Sequence, residues 1–450
     1  MIDNNNINNE LEQQLQQLLT RLQLDDAPAG GSVVVYQSGK CIAQANVGMA
    51  QLNSPWQPDT LALNFSTGKG VLATLVHVLV SKQLLAYDTP IAHYWPKFAA
   101  NNKSAITLRQ VMSHQASLFA ISSIDADSET LLNWPEMLVK VAAMAVTKPD
   151  DNERYDSAYS ALVYGWILGG LVEGVTQMSL AEALRFYLTE PLGISDSCYF
   201  GVPADKVGQV AKLAKDFEPM AQDDSPLRHK RHKPVLRAES KQTLAVYEQL
   251  PSYKCWQRLA ITNQQVSAEA SLTATQINRL YFNHSAIHAS NYRAALVPAN
   301  KQPIDYYNEQ TLQAIIPAAN GVASAKALAT IYTMLASGGV WQGQTLIDKA
   351  TFAQLSAVQA DGDDAVMPAK MQWRLGYHRL FSVCQHDDNA ANHSVQQGFG
   401  HMGYNGSVAW CDPTRKLSFA FIHNFDITML NDIRQFALSE AVLDLIKAQS

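Results

Sequence analysis

Cysteine is scarce in this chain of 450 residues. The thiols are odd in number, scattered, and without a C-x-x-C pair; they are Cys41, Cys198, Cys255, Cys384 and Cys411. A disulfide framework or a structural zinc site needs paired cysteines at regular spacing. The sequence therefore predicts neither, and we expect reduced, mostly buried thiols.

Long apolar runs are also absent. The longest, around 71–80 and 162–172, fall short of the roughly 18 residues that a membrane-spanning helix needs. We therefore expect buried helices there and no membrane span. The opening stretch "MIDNNNINNELEQQL" lacks the basic start and apolar core of a secretory signal, which favours a cytoplasmic protein.

Charge of neither sign dominates, because the net charge is -6 and 16% of the residues are charged. Such a balance gives no general attraction to nucleic acid or to anionic membrane. The one strongly basic run, "RHKRHKPVLR" at 228–237, is interpreted as a solvated loop. His284 and His288 have the spacing of a helical metal pair, but the H-E-x-x-H glutamate is missing, so no metal and no organic cofactor is predicted.

Periodicity predicts how the two ends of the chain fold. Leucines at 11, 15, 18, 19, 22 and 24 have the spacing of an amphipathic helix. "SVVVYQSGKCIAQANVG" then predicts two strands joined by a turn at 38–40. Near the C-terminus, "WRLGYHRLF", "SVAWCDP" and "LSFAFIHNF" predict three strands, and "LNDIRQFALSEAVLDLIKA" predicts a final amphipathic helix.

The middle of the chain, from about 70 to 310, has a mostly helical pattern and no internal repeat. We therefore expect an α/β (α+β) protein in which both termini build one antiparallel sheet flanked by helices. The predicted domains are a discontinuous sheet domain, 1–69 with 311–450, and an inserted helical domain, 70–310. A further insert is predicted at 203–310, and a cleft is expected where the two domains meet.

The segment "NFSTGKG" places Ser66 three residues before Lys69, at the start of the apolar run. Residues at i and i+3 of a helix lie on nearly the same face, so the two side chains can meet. Serine becomes a nucleophile when a neighbouring base takes its proton, and burial favours the neutral, basic form of lysine. The pattern is short enough to arise by chance, and further motifs are needed to support a catalytic pair.

Two such segments follow, "YDSAYSALVYGWILGGLVEGVT" and "FGHMGYNGSVAWCDP". A serine-lysine motif, a tyrosine motif roughly ninety residues on and a Lys/His-x-Gly motif near the C-terminus resemble the serine β-lactamase and penicillin-binding superfamily. The chain is most similar to the class C β-lactamase-related carboxylesterases and acyltransferases of family VIII. The resemblance spans nearly the whole chain and is weakest at about 203–310. It implies a β-lactamase/transpeptidase-like fold.

By this resemblance Ser66 is the nucleophile and Lys69 its partner in proton transfer. Two tyrosines fit the second motif. Tyr159 has the expected aromatic residue and glycines downstream, whereas Tyr155 has the expected proline, Pro149, upstream. We prefer Tyr159, because its downstream match is longer, and Tyr155 stays the alternative.

The third motif is His401-Met402-Gly403, which the resemblance places at a strand edge beside the nucleophile. It implies that His401 and Gly403 contribute to substrate binding. The backbone N–H groups of Ser66 and Tyr404 would form the oxyanion hole. His401 is expected just before a strand.

Two departures from the β-lactamase pattern bear on the substrate. Ala161 stands where those enzymes usually carry an asparagine that holds the substrate amide, and His401 replaces a lysine that helps to hold a carboxylate. An ordinary histidine, with a pKa of about 6.5, is mostly neutral at pH 7. Both departures weaken recognition of an acylated, carboxylate-bearing lactam.

The resulting prediction is a serine hydrolase that cleaves carboxylic esters of short to medium acyl chains through an acyl-enzyme on Ser66. Acyltransferase activity follows if another alcohol or amine replaces water. The alternatives are a β-lactamase or D-amino-acid peptidase or amidase of the same fold, and a non-catalytic scaffold. The expected partner is a small-molecule ester or amide, and the sequence indicates no oligomeric state.

Overall fold

The structure is a computed structural model that describes residues 4–23, 28–151, 154–213, 216–217, 241–267, 271–302, 304–384, 398–426 and 432–448. The helices are α1 Asn4–Leu22, α2 Thr67–Ser81, α3 Ile91–Tyr94, α4 Leu108–Met112, α5 Ser128–Leu132, α6 Trp134–Ala143, α7 Val163–Thr176, α8 Leu180–Leu184, α9 Glu190–Leu192, α10 Lys241–Glu248, α11 Tyr253–Thr262, α12 Ala274–Arg279, α13 Ala289–Leu296, α14 Glu309–Gln313, α15 Ala325–Ala336, α16 Lys349–Ser356 and α17 Arg434–Ala448. The strands are β1 Gly31–Gln37, β2 Lys40–Val47, β3 Met49–Gln51, β4 Ser54–Pro55, β5 Ala62–Leu63, β6 Cys198–Tyr199, β7 Val322–Ala323, β8 Val340–Trp341, β9 Gln344–Thr345, β10 Ala360–Asp363, β11 Lys370–Trp373, β12 His378–Arg379, β13 Phe399–Met402, β14 Val408–Asp412 and β15 Leu417–His423.

The main sheet has eight strands in the order β10-β11-β12-β13-β14-β15-β1-β2. Every neighbouring pair in it is antiparallel. The first and last strands of the chain meet in its interior, where Gly31 of β1 lies opposite His423 of β15. The predicted antiparallel sheet built from both termini is therefore confirmed.

Helices cover both faces of this sheet, as its alternating side chains require. On one face Val33 and Val35 of β1 belong to a core cluster with Leu15 of α1 and with residues of α17. On the other face Val34 and Tyr36 join a cluster with α2, α7 and α15. Four of the N-terminal leucines are buried, which confirms the amphipathic helix; position 24 lies outside the described residues.

The two long apolar runs form the buried helices α2 and α7, as predicted. α2 is buried along its whole length from Thr67 to Leu79 and contacts β13, α7 and α15. A helix that is apolar on all sides is stable only inside a core, because no face suits water. Ser66 lies at the N-terminal end of this central helix.

The C-terminal strand predictions hold for β14 and β15, but "WRLGYHRLF" was wrong as a single strand. It forms the end of β11, a tight turn and β12, with Trp373 paired to His378. Gly376 in the turn has φ of 81°, and a Cβ there would lie 2.3 Å from the Cβ atom of Ala73 in α2. Only glycine fits both the backbone and the contact. His401 also lies within a strand, β13, and not before one.

The domain division stays a prediction. Its first boundary, 69/70, falls within α2, and the small sheet β5-β7-β6 pairs a strand of the predicted helical domain with β7. The basic run 228–237 lies outside the described residues. Among those that are described, no helix is both long and apolar enough to cross a membrane.

Candidate active site

Ser66 is the N-cap residue of α2, and its side chain is partly exposed. Its Oγ atom lies 2.8 Å from Nζ of Lys69 and 3.2 Å from the carbonyl oxygen of Ala318. The preceding residue, Phe65, has φ of 48°, a left-handed conformation that is uncommon for a bulky side chain. Strain of this kind persists where the surrounding core enforces it, and it is frequent at functional sites.

Lys69 is completely buried beneath Ser66, one helical turn further along α2. Its ammonium nitrogen also lies 2.7 Å from the carbonyl oxygen of Ala161 and 2.8 Å from that of Ala318. Burial lowers the pKa of Lys69 well below its usual value, because the charged form loses its hydration. The neutral amine is thereby favoured.

The two carbonyl contacts orient the nitrogen of Lys69. A carbonyl oxygen can only accept, so Ala161 and Ala318 each receive one N–H. In the neutral amine this leaves one lone pair, and the remaining polar neighbour is the hydroxyl of Ser66. The arrangement is that of a base hydrogen-bonded to a nucleophile.

Tyr159, in the loop before α7, is the tyrosine that reaches this pair. Its hydroxyl faces the side chain of Ser66, and Nζ of Lys69 lies 4.9 Å from the centroid of its ring. Burial raises the pKa of Tyr159 and outweighs the Ser66 side chain, which acts to lower it; the negative charge of Asp364 adds a smaller increase. The phenol therefore keeps its proton at neutral pH and can donate it.

The alternative tyrosine lies elsewhere. The hydroxyl of Tyr155 is buried and has no hydrogen-bond partner among the described residues, and its ring lies 5.5 Å from the guanidinium carbon of Arg154. Of the two candidates, the structure brings only Tyr159 to Ser66 and Lys69.

His401 of β13 lines the same site. Its Nδ1 atom lies 2.9 Å from the carbonyl oxygen of Met402 and must donate to it, which leaves Nε2 without a hydrogen. Burial, followed by the nearby His378 and Lys69, lowers the pKa of His401 well below its usual value. The third motif therefore presents a neutral imidazole and not a fixed cation.

Gly403 and Tyr404 bring the chain after β13 against the segment that leads to Ser66. A Cβ at Gly403 would lie 2.4 Å from the carbonyl oxygen of Asn64, so only glycine permits this approach. The ring of Tyr404 lies 6.2 Å from that of Phe65. Within the described parts of the chain, the amides of Ser66 and Tyr404 donate no backbone hydrogen bond.

Ser66, Tyr159, His401 and Tyr404 line one pocket of about 560 Å³. Its volume is in the range of roughly 300–1,000 Å³ that is usual for small-molecule sites. The other lining residues are mostly apolar or aromatic; they include Phe65, Ala161, Leu162, Tyr292, Leu296, Val297, Pro298, Ile304, Tyr306, Val366, Met367, Pro368, Trp373 and Met402. One wall thus comes from 292–306, inside the segment where the resemblance is weakest.

Sequence reasoning missed several parts of the site. Trp373 stacks on the ring of Tyr159, with centroids 5.5 Å apart and an interplanar angle of 5°. His114 lies edge-on to both rings, and its Nδ1 atom accepts from the amide of Ser160. Asp364 accepts hydrogen bonds from several of these residues. None of them belongs to a short motif, so no local pattern could have found them.

The histidine pair considered as a metal site does not share a helix. His284 lies in a 3-10 helix and approaches Asn278, whereas His288 precedes α13 and lies 3.7 Å from a carboxylate oxygen of Asp151. Over the described ranges, no group of three or more His, Cys, Asp or Glu side chains could hold a metal ion.

Residues 11–441 match the Beta-lactamase family. The chain belongs to that family. This family member is 30% identical over 401 residues to Esterase/beta-lactamase LipL of Mycobacterium tuberculosis (strain ATCC 25618 / H37Rv), a match that covers 88% of the chain and 77% of LipL. The resemblance inferred from the motifs is thereby confirmed.

Solved structures agree on the architecture of this Beta-lactamase family member. A penicillin-binding protein homologue from Caulobacter crescentus superposes with a TM-score of 0.66 at 26% identity, covering 97% of this chain and 98% of the other. A family VIII carboxylesterase superposes with a TM-score of 0.66 at 23% identity and covers 97% of each chain, which shows the fold alone. The expected β-lactamase/transpeptidase-like fold is confirmed, and the protein is a β-lactamase-fold hydrolase.

Proposed function

We propose that this hydrolase cleaves carboxylic esters of short to medium acyl chains through an acyl-enzyme on Ser66. The observation that carries the proposal is the hydrogen bond between Ser66 and a buried Lys69, at the edge of a largely apolar pocket. A neutral amine in that position can take the serine proton without the help of a histidine or a metal.

Acylation begins when Oγ of Ser66 attacks the ester carbonyl and its proton passes to Nζ of Lys69. The carbonyl oxygen becomes negatively charged and is held by the amides of Ser66 and Tyr404. Donors of this kind contribute roughly 3 kcal/mol each to transition-state stabilisation. The N-terminal end of α2 adds its positive dipole beside the same oxygen.

Tyr159 completes the acylation step. As the bond between the carbonyl carbon and the leaving oxygen breaks, the phenol gives its proton to that oxygen, and the proton on Lys69 replaces the one that Tyr159 lost. Water then attacks the acyl-enzyme, the acid leaves, and Ser66 regains its hydrogen. Another alcohol or amine in place of water would make the same site an acyltransferase.

The site residues favour esters over lactams. Ala161 has no side-chain amide to hold an acylamino group, and the neutral imidazole of His401 supplies no positive charge for a carboxylate. The apolar wall formed by Leu296, Val297 and Ile304 suits an alkyl chain. The chemical partner is a small molecule, and the cytoplasmic location stays a prediction.

β-Lactam hydrolysis is the second candidate, because the relative LipL is named both an esterase and a β-lactamase. D-Amino-acid peptidase or amidase activity belongs to the same alternative. A scaffold without chemistry is disfavoured, because a drifting site would be expected to lose one of the contacts among Ser66, Lys69 and Tyr159.

The test is hydrolysis of p-nitrophenyl acetate, butyrate and octanoate beside a chromogenic cephalosporin, with wild-type protein and Ser66→Ala. Ester turnover that disappears in the variant, with little cephalosporin turnover, would support the esterase. Dominant cephalosporin turnover would favour the second candidate. If neither substrate is turned over, and a fluorophosphonate fails to label Ser66, the scaffold replaces both.

A further inference from the structure

Asp364, immediately after β10, is a buried carboxylate for which the proposed chemistry has no direct use. It is 5% exposed, and both of its oxygens are occupied. Oδ1 accepts from the backbone amides of Tyr159 at 3.2 Å, Val366 at 2.8 Å and Met367 at 3.0 Å. Oδ2 accepts from Oγ of Ser157 at 2.6 Å and from Nε1 of Trp373 at 3.1 Å.

Most of these hydrogen-bond donors belong to residues that line the pocket. Tyr159, Val366, Met367 and Trp373 all contact the cavity, and they come from three separate parts of the chain. Asp364 accepts five hydrogen bonds and donates none, as an ionised carboxylate does. One side chain therefore fixes the relative positions of both sides of the pocket.

The backbone reinforces this attachment. The chain pairs at Ser157 and Asp364 as an isolated parallel bridge, and the amide of Ala365 donates to the carbonyl of Ser157 at 2.9 Å. On the other side, the amide of Ala158 donates to the carbonyl of His114 at 2.9 Å. The loop that carries Tyr159 is thus held between the edge of the main sheet and the segment after α4.

The indole of Trp373 determines where the phenol ring can lie. It is stacked on Tyr159 and donates from Nε1 both to Asp364 and, at 3.0 Å, to Oγ of Ser157. These bonds prevent the indole from rotating in its plane. If Trp373 moves, the Tyr159 ring loses the surface against which it packs.

We propose that Asp364 is a positioning residue that holds Tyr159 in line to protonate the leaving alcohol. This inference rests on the proposed esterase function. Asp364 does not touch the substrate; it acts through the Tyr159 amide and through the Trp373 indole. Its removal is expected to impair proton delivery and not the attack by Ser66, which depends on Lys69.

Asp364→Asn is a sharp test because it keeps the shape of the side chain and replaces one of the two acceptor oxygens with an NH2 group. Its amide group can accept on one side only, and its NH2 group would then face either the two donors at Oδ2 or the three amides at Oδ1. Two donors placed against each other repel and lose their partners. The Trp373 indole, the Tyr159 amide, or both must shift.

Leaving-group chemistry separates a positioning role from a general loss of structure. An alkoxide leaving group needs a proton from Tyr159, whereas p-nitrophenolate is a weak base and leaves without one. We therefore compare kcat/KM for ethyl butyrate and p-nitrophenyl butyrate in wild type and Asp364→Asn. We expect kcat/KM to fall about 100-fold for the ethyl ester and less than about 5-fold for the p-nitrophenyl ester.

Three further variants keep the test decisive. Trp373→Phe retains an aromatic ring against Tyr159 but lacks the indole donor. It should lower the ratio of kcat/KM for the ethyl ester to kcat/KM for the p-nitrophenyl ester, by a smaller factor than Asp364→Asn does. In the double variant Asp364→Asn with Trp373→Phe, the combined fold-loss in kcat/KM for the ethyl ester should be smaller than the product of the two single losses. The reason is that the indole donor, which Asp364→Asn leaves unpaired, is absent from the double variant. Asp412→Asn is the matched control, since Asp412 is also buried and hydrogen-bonded but is not among the residues that line the pocket beside Ser66.

Thermal unfolding of every variant identifies loss of fold. If Asp364→Asn lowers kcat/KM by the same factor for both esters, the inference is overturned even though activity drops. A similar shift in the ratio for Asp412→Asn would overturn it as well. If wild type hydrolyses neither ester, the proposed function has failed and this inference fails with it.

Discussion

Nζ of Lys69 lies 2.8 Å from Oγ of Ser66, and its two other close contacts are carbonyl oxygens. A buried lysine usually needs a carboxylate partner, because an unpaired charge in a core is costly. Here the described residues supply none, and burial lowers the pKa of Lys69 well below its usual value, which favours the neutral amine. Burial therefore increases the fraction of the neutral amine, whose lone pair is available to accept the proton of Ser66.

Lys69→Met should therefore abolish activity without unfolding the protein. Methionine has a similar length and fills the same space, but the carbonyl oxygens of Ala161 and Ala318 lose a donor, so a modest fall in the melting temperature is expected. kcat/KM for p-nitrophenyl butyrate should fall by about 1,000-fold or more, because the serine proton has no acceptor. Retention of more than about a tenth of the activity would show that another group is the base.

The pH dependence of kcat/KM reports the protonation state of the same lysine. The active form is the neutral amine, so activity should rise with pH as Lys69 loses its proton and then reach a plateau. Because burial lowers the pKa of Lys69, the midpoint of the rise should lie well below that of an exposed lysine. Because burial raises the pKa of Tyr159, no fall is expected up to about pH 10.

Stopped-flow rates with p-nitrophenyl butyrate between pH 5 and pH 10 would measure this profile, with brief exposure so that the fold is preserved. A rise centred near the pKa of free lysine would contradict the buried base. A fall in activity as pH increases through neutrality would contradict it more strongly, since that sign requires a protonated catalytic group.

Local spacing was enough to predict that the side chains of Ser66 and Lys69 meet, because the two residues are one turn apart at the start of one helix. The buried helices α2 and α7 followed equally directly from their apolar runs. The supports of Tyr159 could not be predicted in this way. Asp364 lies 205 residues from Tyr159 along the chain, and no propensity or period connects a carboxylate with a backbone amide at that distance.

The strand errors have local causes. "WRLGYHRLF" is rich in strand-forming residues, but Gly376 packs against α2 and turns the chain into a hairpin. β13 was overlooked because "FGHM" contains a glycine and a histidine, which are poor strand indicators. It is stabilised by pairing with β12 and β14, which a reading of the sequence alone does not show.

The two candidate tyrosines differ in a way that one experiment can resolve. Tyr159→Phe removes the hydroxyl that faces Ser66, and kcat/KM for an alkyl ester should fall about 100-fold or more. Tyr155→Phe is the matched control. Its hydroxyl is buried and unpaired, so its removal should leave activity within about 2-fold and slightly raise the melting temperature. The opposite order of effects would reinstate Tyr155.

The wall contributed by 292–306 is expected to set the acyl-chain length. Val297 lines the pocket, and Val297→Trp would fill part of its volume. Octanoate hydrolysis should then fall by about 10-fold or more relative to wild type, while acetate hydrolysis stays within about 3-fold, because the short chain does not reach the added ring. The matched control is Val358→Trp, at an exposed position outside the pocket, where both rates should be unchanged. Equal losses on acetate and octanoate would mean that the tryptophan disturbs the catalytic groups. A loss on acetate alone would place the acyl chain elsewhere and assign this wall to the alcohol.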